Sequence, residues 1–256
     1  MAPDAWNPAL YTRFRDERSL PFHDLLALVQ PPAHRVVDLG CGTGELTRLL
    51  HDRVGAQETV GVDTSRSMLA EAAPRAGKGL RFQHQDLAAF DGRDLDLVFS
   101  NAALQWVPDH PSLIARLRQA LAPGGQLAFQ VPANHDHPSH VVAASLAREE
   151  QRFREGLGGF TRVSPVQSPR QYAELVATLG FTQQQVRLQV YGHWLASRDD
   201  VVEWVRGSTL TAYQERMPPE LWDDFLARYR ARLLPQLPDT RPFFFAFPRI
   251  LVWARI

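Results

Sequence analysis

The sequence has one cysteine, no net charge and no long apolar run, and each of these shortages excludes a class of protein. Cys41 is the only cysteine among 256 residues, so no internal disulfide can form. The 28 basic and 28 acidic residues cancel, which removes the basis for a general attraction to nucleic acid or to a membrane surface. No uncharged apolar stretch reaches the ~18 residues that a membrane-spanning helix needs.

The overall composition is that of a globular protein. Hydrophobic residues make up 45% of the chain and charged residues 22%, which is typical of folded domains in water. The length allows one large domain or a core domain with a smaller cap. Residues 1–18 lack the apolar segment of a secretory signal, so we expect a cytoplasmic protein that binds neither membrane nor nucleic acid.

The first half of the chain alternates between short apolar runs and helical patterns. Strands are predicted at 35–40, 59–64, 80–86, 95–102 and 125–132. Helical patterns fall between them at 45–54, 66–76 and 110–121. Buried strands separated by helices predict a doubly wound, mostly parallel sheet of the α/β class.

The pattern changes after Pro132. Helices are predicted at 138–157, 169–180, 197–207 and 219–234, and strands at 182–195 and 249–256. We interpret these helices as a cap inserted among the last strands of the sheet. The predicted divisions are an N-terminal segment at 1–30, a core at 31–134, a cap at 135–240 that includes one core strand at about 182–195, and a final core strand at 241–256.

A glycine-rich turn lies directly between the first predicted strand and its helix. Gly40, Gly42 and Gly44 are spaced G-x-G-x-G, whereas the dinucleotide fingerprint is G-x-G-x-x-G. The position of the third fingerprint glycine is held by Glu45, whose charge would face a pyrophosphate. No Gly-Lys-Ser/Thr follows, which excludes a P-loop. The turn therefore predicts a ligand without a diphosphate.

Polar residues end the next three predicted strands. Asp63 ends the second strand and suits a pair of ribose hydroxyls, although it could also cap the helix that follows. Asp86 ends the third strand and could accept from an amine or serve only a turn. Asn101 ends the fourth. The carboxyl ends of parallel strands are where open α/β sheets bind ligands, so one site is predicted here.

These motifs together resemble a known family. "VVDLGCGTG", "GVDTSRSML", "HQDL" and "LVFSNAALQWVPD" are similar to the class I S-adenosylmethionine-dependent methyltransferases. A narrower resemblance, carried by "WNPALYTRFRDERSLPFHDLL", "VPANHDHPSH" and "VYGHWLASRDDVVEWVRGSTLTAY", is to the bacterial trans-aconitate 2-methyltransferases and spans nearly the whole chain. The resemblance implies a seven-stranded sheet with an antiparallel last strand, S-adenosyl-L-methionine as cofactor, and no metal. It also implies that residues 1–30 form a lid, that the core at 31–134 binds the cofactor and that the cap at 135–240 binds the substrate.

The resemblance also implies a set of cofactor contacts. Glycines of the turn would let the backbone approach the methionine part, Asp38 would lie near the amino group, and Asp63 would hold the ribose. The full predicted set is Tyr11, Asp38, Gly40, Gly42, Gly44, Asp63, Ser65, Met68, Asp86, Leu87 and Asn101. Cys41 lies inside the turn, where a small residue fits and a reactive thiolate is not expected.

The substrate implied is a small carboxylic acid. A carboxylate is ionised at neutral pH and needs positioning rather than a base. All basic residues except Lys78 are arginines. The planar guanidinium group suits carboxylate recognition, although codon bias would also explain the excess of arginine. His193 and Asn101 are the candidates for the reacting centre. The predicted substrate-binding set is Trp6, Arg13, Gln105, Trp106, His193, Arg206 and Tyr213, with Arg162 and Arg249 as weaker candidates.

Several alternatives stay open at this stage. The tryptophans fit a core as well as a binding site, and His193 could be structural. Another acceptor would keep the cofactor, such as a carrier-bound carboxylate or a natural-product hydroxyl or amine, and a hydroxyl would need a base, for which His193 is the candidate. An NAD-dependent oxidoreductase, a non-catalytic cofactor-binding protein and an RNA-binding module are less favoured. A monomer or a weak homo-oligomer is expected.

Overall fold

The computed structural model describes residues 15–256, with side chains described from residue 19 onward. Within this range seven strands form one sheet in the order β3-β2-β1-β4-β5-β7-β6. The strands are β1 Arg35–Leu39, β2 Glu58–Asp63, β3 Leu80–His84, β4 Leu95–Asn101, β5 Leu121–Pro132, β6 Gln183–Leu195 and β7 Phe243–Arg255.

Helices connect these strands. The α-helices are α1 Arg15–Leu26, α2 Glu45–Arg53, α3 Arg66–Ala72, α4 His110–Gln119, α5 Pro138–Glu149, α6 Gln151–Gly156, α7 Pro169–Thr178, α8 Asp199–Arg206, α9 Thr211–Gln214 and α10 Pro219–Leu233. Short 3₁₀ turns lie at Ala73–Arg75, Leu87–Ala89, Leu104–Trp106 and Leu234–Gln236. In the part of the chain that the structure describes, no helix is both long and apolar enough to cross a membrane.

Strand directions confirm the predicted sheet. β1 to β5 pair in parallel, and β7 is antiparallel to both of its neighbours, β5 and β6. The last strand is longer than predicted and begins at Phe243, because "FFFAF" alternates buried and exposed side chains as a half-buried strand does. The parallel arrangement brings the carboxyl ends of β1 to β4 to one edge of the sheet.

The cap is built from two separate insertions. α5 and α6 lie between β5 and β6, and α8 to α10 lie between β6 and β7. Together with the C-terminal end of β6 and the N-terminal end of β7, they bury one apolar core that includes Phe225, Phe245 and Trp204. α7 differs, because Tyr172 and Val176 pack with the sheet strands. The segment predicted as a cap therefore also contains a helix of the sheet layer.

The helix predicted at 138–157 is interrupted at Glu150. This residue has extended backbone angles (φ −88°, ψ 116°) and separates α5 from α6. Two arginines of α10 bind its carboxylate: Arg228 Nη1 lies 3.1 Å from Oε2, and Arg232 Nη2 lies 2.7 Å from Oε1. The break thus lets the carboxylate join an ion-pair network across the cap, a contact that helical periodicity cannot predict.

α1 packs against the face of the sheet opposite α7. Phe22 and Leu25 are buried in a cluster with Phe99 and Trp253, and the Tyr191 hydroxyl donates to Asp24 Oδ2 at 2.7 Å. The described part of the segment predicted as a lid, from residue 15, is therefore attached to the sheet. Residues 1–14 lie outside the described residues.

Candidate functional site

The glycine turn between β1 and α2 brings the backbone close to its neighbours. Gly40, Gly42 and Gly44 all have positive φ, at 82°, 53° and 74°, a conformation that side chains disfavour. A Cβ atom on Gly40 would lie 2.1 Å from the Cβ of Ala103, whereas one on Gly42 would meet nothing within 4 Å. Gly40 is therefore required for packing, and Gly42 keeps open the space that the turn faces.

Asp63 is held rigidly at the end of β2. Its Oδ2 accepts from the Gly42 amide at 2.9 Å and its Oδ1 accepts from the Ser65 amide at 2.9 Å. Ser65 in turn caps α3, because its hydroxyl accepts from the Met68 amide at 3.1 Å. The helix cap is thus formed by Ser65, and the Asp63 carboxylate links that cap to the glycine turn.

Asp38 lies beneath the turn with an unusual environment. It is only 3% exposed, and its Oδ2 accepts from the Thr47 hydroxyl at 2.6 Å. Burial raises the pKa of Asp38 to about 7, opposed by the Thr47 hydrogen bond and aided by the negative charge of Asp63. Its buried Oδ1 has no hydrogen-bond partner among the described residues. Such an oxygen is suited to a cationic ligand group.

Cys41 in the turn has a different character. Its side chain is buried, and burial together with the charges of Asp38 and Asp63 raises the pKa of the thiol. The thiol therefore stays protonated at neutral pH, as expected for a small residue that fits the turn.

A cavity of about 350 Å³ opens above the turn, within the usual size range of small-molecule sites. We call it the turn cavity. It contains three acidic side chains, of Asp63, Asp86 and Glu215, and one arginine, Arg216. Its lining is Gly40, Gly42, Asp63, Thr64, Met68, Asp86, Leu87, Asn101, Ala102, Ala103, Trp106, Val107, Thr211, Ala212, Glu215 and Arg216.

Most of the predicted cofactor residues meet at this cavity. Asp86 accepts from the Ala88 amide through Oδ1 at 2.9 Å and so begins the 3₁₀ turn that places Leu87 in the wall. Asp38, Gly44 and Ser65 lie behind the lining and support the turn and the α3 cap. Tyr11 lies outside the described residues.

A second cavity, which we call the cap cavity, lies between the sheet edge and the cap. It has a volume of about 100 Å³, and no aspartate or glutamate is among the described residues that line it. Its lining is Ala102, Gln105, Trp106, Pro132, Asn134, His135, His140, Arg162, Ser164, Val166, Trp204, Val205, Gly207, Ser208, Thr209, Phe247 and Arg249. Two arginines, with no carboxylate beside them in the described part of the wall, give this cavity a positive character.

Arg162 is oriented by neutral groups. Its guanidinium carbon lies 3.9 Å from the centre of the Trp106 ring, and its Nη2 donates to the Gln105 carbonyl at 3.4 Å. The Arg162 amide donates to the Tyr213 hydroxyl at 3.3 Å. Burial lowers the pKa of Arg162 to about 10, which leaves the side chain cationic at neutral pH.

Arg249 and Asn134 contribute buried donors from other parts of the chain. Arg249 is 5% exposed and lies where β7 begins to pair with β5, and its guanidinium carbon lies 4.9 Å from the centre of the Phe247 ring. Asn134, 3% exposed, follows β5, and its Nδ2 has no hydrogen-bond partner among the described residues. A buried amide donor without a partner indicates room for an acceptor from a ligand.

Four side chains fix the protonation of His140. The Ser139 amide donates to His137 Nδ1 at 3.2 Å, so this nitrogen carries no proton. The Ser139 hydroxyl then donates to the same nitrogen at 2.8 Å and accepts from His140 Nδ1 at 3.1 Å. His140 Nε2 therefore accepts from the Thr209 hydroxyl at 2.9 Å. Burial and the charge of Arg162 lower the pKa of His140 to about 3, so the ring stays neutral.

The two cavities share a wall. Ala102 and Trp106 line both of them, and the turn that carries Trp106 is held by His110, whose Nε2 lies 2.9 Å from the Leu104 carbonyl. A hydrogen-bond chain also connects the two: Gln130 Nε2 donates to Asn101 Oδ1 at 2.6 Å, and Arg249 Nη1 donates to Gln130 Oε1 at 3.0 Å. The arrangement places an acidic and a cationic compartment side by side.

Comparison with known proteins assigns the family. Residues 11–186 match a family model described as a methyltransferase domain. The chain is 44% identical to the trans-aconitate 2-methyltransferase of Deinococcus radiodurans over 253 residues, covering 96% of each chain. It is 42% identical to the enzyme of the same name from Variovorax paradoxus over 257 aligned positions, covering 98% of each. The chain belongs to this methyltransferase family.

The fold agrees with this assignment. A solved structure of Haemonchus contortus phosphoethanolamine N-methyltransferase 2 in complex with S-adenosyl-L-methionine superposes with a TM-score of 0.53. The match covers 92% of this chain and 52% of that one at 19% identity, so the likeness concerns the fold alone. The methyltransferase class and the seven-stranded fold expected from the sequence are confirmed.

The predicted substrate residues of this methyltransferase are dispersed. Gln105 and Trp106 line the cap cavity. Tyr213 lines an outer space that adjoins it. His193 is 4% exposed and stacks on Trp204, with ring centres 4.8 Å apart, so Trp204 is the one of the pair that reaches the wall. Trp6 and Arg13 lie outside the described residues.

Arg206 lies outside both cavities of the methyltransferase. α8 ends at Arg206, and Tyr213 belongs to the separate helix α9. The two residues therefore do not share a helix face, as they would if the helix continued past Gly207. Its Nη1 pairs with Glu203 Oε2 at 3.1 Å. The helix predicted from 197 begins at Asp199 in the structure. Ser197 and Asp200 still interact before it, because the Ser197 amide donates to Asp200 Oδ2 and the Asp199 amide donates to Ser197 Oγ.

The structure also brings forward residues that sequence reasoning passed over. Asn134 and His140 lie within "VPANHDHPSH", which carries part of the family resemblance, but neither stands at a strand end or in a motif with a stated chemistry. Thr209 follows the glycine that ends α8. The sequence signal for Asn134 and His140 is that polar residues cluster in a segment that carries the family resemblance. Only the tertiary fold brings these residues into one cavity with Arg162 and Arg249.

Proposed function

We propose that this methyltransferase transfers the methyl group of S-adenosyl-L-methionine to a carboxylate oxygen of trans-aconitate. The observation that carries the proposal is the cap cavity, which has two arginines and no carboxylate among its described lining residues and shares Ala102 and Trp106 with the turn cavity. Residues 31–134 would then bind the cofactor, and the cap would bind the acid.

The residues of the turn cavity fit the cofactor. The unpartnered Oδ1 of Asp38 suits the ammonium group of its methionine part. Asp63, fixed by two backbone amides, suits the ribose hydroxyls. Asp86 and Leu87 are placed for the adenine. When bound, the cofactor supplies an activated methyl group and its own leaving group.

The cap cavity favours a carboxylate over a hydroxyl as the acceptor. A carboxylate has a pKa near ~4 and is already ionised, whereas a hydroxyl needs a base with a pKa near the working pH. His140 lines the cavity with a pKa lowered to about 3, and its Nε2 already accepts from Thr209. The protein's own groups thus position an anion, and no proton has to be removed.

The relatives named trans-aconitate 2-methyltransferase support the same substrate, because they align with nearly the whole chain, including both insertions of the cap. The alternatives with a carrier-bound carboxylate or a natural-product hydroxyl or amine remain second. Neither has an observation of its own in the structure.

Mass spectrometry of products tests the proposal. The purified protein is incubated with S-adenosyl-L-methionine and, separately, trans-aconitate, carrier-linked malonate, and small alcohols and amines. We expect a mass gain of one methyl group, lost on mild alkaline hydrolysis as an ester is, with trans-aconitate only. Methylation of carrier-linked malonate or of an alcohol in preference to trans-aconitate would refute it.

A further inference from the structure

We propose that Arg162 and Arg249 bind the two carboxylates of trans-aconitate that are not methylated, one carboxylate to each guanidinium. The inference rests on the proposed function and deepens it, because it names the residues that would make the enzyme specific for a tricarboxylate. Sequence reasoning ranked both residues low, and none of the comparisons assigns a role to either.

Arg162 has the properties of a ligand-binding cation. It is partly buried, and it forms no ion pair within residues 19–256, unlike Arg230 and Arg232 of the same cap, which pair with acidic side chains. A buried charge that lacks a counter-ion destabilises a fold. An anionic ligand would supply the missing partner.

The neighbours of Arg162 hold it without neutralising it. The Trp106 ring stacks on the guanidinium, and the Gln105 carbonyl accepts one of its five N–H groups. Remaining N–H groups can donate in pairs to a carboxylate, in the geometry that makes arginine preferable to lysine at such sites. Because Trp106 also lines the turn cavity, this contact sets the position of Arg162 relative to the methyl donor's compartment.

Arg249 supplies the second cation from the opposite end of the chain. β7 delivers it to the cavity wall, where Gln130 accepts from its Nη1 and the Phe247 ring lies beneath its guanidinium. Asn134 adds a buried donor, Nδ2, to the same cavity. Among the described residues, both arginines thus contact an aromatic ring and a neutral acceptor, in a cavity whose described lining contains no acid.

If each arginine binds one carboxylate, the enzyme should prefer substrates with three carboxylates. A tricarboxylate can satisfy both guanidinium groups and still present a third carboxylate for methylation. A dicarboxylate that reacts at one end can contact only one of them and so loses one set of paired hydrogen bonds to a guanidinium. We therefore expect kcat/KM for trans-aconitate to exceed that for any acid that lacks one of its carboxylates.

A matrix of variants and substrates tests the assignment. Glutaconate, itaconate and mesaconate each correspond to trans-aconitate without a different carboxylate. Arg162→Gln and Arg249→Gln should each lower kcat/KM for trans-aconitate by roughly 10- to 150-fold, as expected for the loss of hydrogen bonds to a charged group. Each variant should leave nearly unchanged kcat/KM for the dicarboxylate that lacks the carboxylate it binds.

Two controls accompany the matrix. Arg170→Gln removes an exposed arginine that pairs with Glu174 on α7, and it should change no substrate's kcat/KM. Calorimetric affinity for S-adenosylhomocysteine should be unchanged in Arg162→Gln and Arg170→Gln, which shows that the fold and the turn cavity are intact. For Arg249→Gln, whose wild-type side chain orients Gln130 and through it Asn101, circular dichroism checks the fold instead. If Arg249→Gln does not fold, Arg249→Lys keeps the charge and should still lose most of the trans-aconitate activity, because it cannot donate in pairs.

Outcomes separate this inference from the proposed function. If both variants lower kcat/KM for all four acids by one common factor, or if neither variant has an effect, the two-cation assignment is refuted. If the wild-type enzyme methylates none of the acids, the proposed function fails. The assignment is then judged by titrating trans-aconitate into the enzyme loaded with S-adenosylhomocysteine: it stands if heat of binding is lost in both variants and is refuted if binding persists in either or is absent in the wild type.

Discussion

The turn cavity and the cap cavity adjoin each other but are built in different ways. The turn cavity is shaped by backbone and acidic side chains at strand ends, with Gly40 and Asp63 as examples. The cap cavity is shaped by side chains that stand well apart in the chain, such as Arg162 and Arg249. The first is acidic and the second cationic, which matches a ligand with ammonium and sulfonium groups beside an acid with three carboxylates.

The difference teaches where tolerance to substitution should lie. A wall made of backbone depends on conformation, so small changes at the glycine turn should be severe. A wall made of side chains depends on individual contacts, so a change there should alter recognition of one ligand and leave the fold intact. The following predictions test this contrast, beginning with the largest expected effect.

Gly40→Ala should be the most damaging single change. The new Cβ would lie 2.1 Å from that of Ala103, at a φ of 82°, and overpacking with left-handed strain should together cost roughly 3–5 kcal/mol of unfolding free energy. Gly42→Ala is the matched control, because nothing lies within 4 Å of its Cβ; it should cost only about 1–2 kcal/mol. Urea denaturation compares them, and equal losses would contradict the close-approach argument.

Asp38→Asn should stabilise the cofactor-free protein and lower its affinity for the cofactor. Because the folded pKa is raised to about 7, the wild type loses stability as pH rises from about 4 to 7, where only the unfolded chain is ionised. Asparagine removes this loss and keeps an acceptor for Thr47, so unfolding free energy at pH 8 should rise by roughly 2–4 kcal/mol. At pH 4 the two proteins should differ little.

The same substitution has a signature in cofactor binding. In the wild type, affinity for S-adenosylhomocysteine should fall as pH drops below about 7, because Asp38 takes up a proton there and loses its attraction for the ammonium group. In Asp38→Asn the affinity should be lower and independent of pH over this range. Calorimetry from pH 5.5 to 8.5 measures both, and a parallel pH profile in the variant would exclude Asp38 as the titrating group.

Asp63→Ala should weaken the affinity for S-adenosylhomocysteine by about 1–3 kcal/mol, the usual value for a hydrogen bond to a charged group. The carboxylate also orders the turn through the Gly42 and Ser65 amides. Asp63→Asn retains one oxygen as an acceptor and serves as the control, with a smaller loss expected. Unchanged affinity in the alanine variant would show that ribose is bound elsewhere.

His193→Phe should have the smallest effect. The ring lies behind Trp204 and Phe247, which line the cap cavity whereas His193 does not, and phenylalanine keeps an aromatic surface for these contacts. We expect kcat/KM for trans-aconitate to fall by less than about threefold, far below the change at Arg162. A loss of tenfold or more, appearing in KM, would show that His193 reaches the substrate directly.

The contrast also explains how much the sequence could predict. The sheet and the turn cavity were predictable because each feature is local: a glycine spacing, an aspartate ending a strand, and a parallel topology that collects strand ends at one edge. The break at Glu150 was not, because arginines eighty positions away stabilise it.

The cap cavity was only partly predictable for the same reason. Gln105 and Trp106 follow a strand end and line the cap cavity as predicted. His193 was predicted to bind the substrate, but it lies behind Trp204, which lines the cavity in its place. Arg162 stands in a loop rich in helix breakers, where no periodicity places a side chain. Its position depends on stacking with Trp106, a contact between residues far apart in the chain.

The chain from Arg249 through Gln130 to Asn101 fixes which way two amide groups are turned. A guanidinium can only donate, so Gln130 must point its oxygen at Arg249 and its nitrogen at Asn101. Asn101 must then accept with its oxygen, and it lines the turn cavity, to which its side chain can offer the NH₂ group as a donor. One arginine in the acid's compartment thereby dictates, through two successive amides, that the neighbouring compartment meets a donor rather than an acceptor.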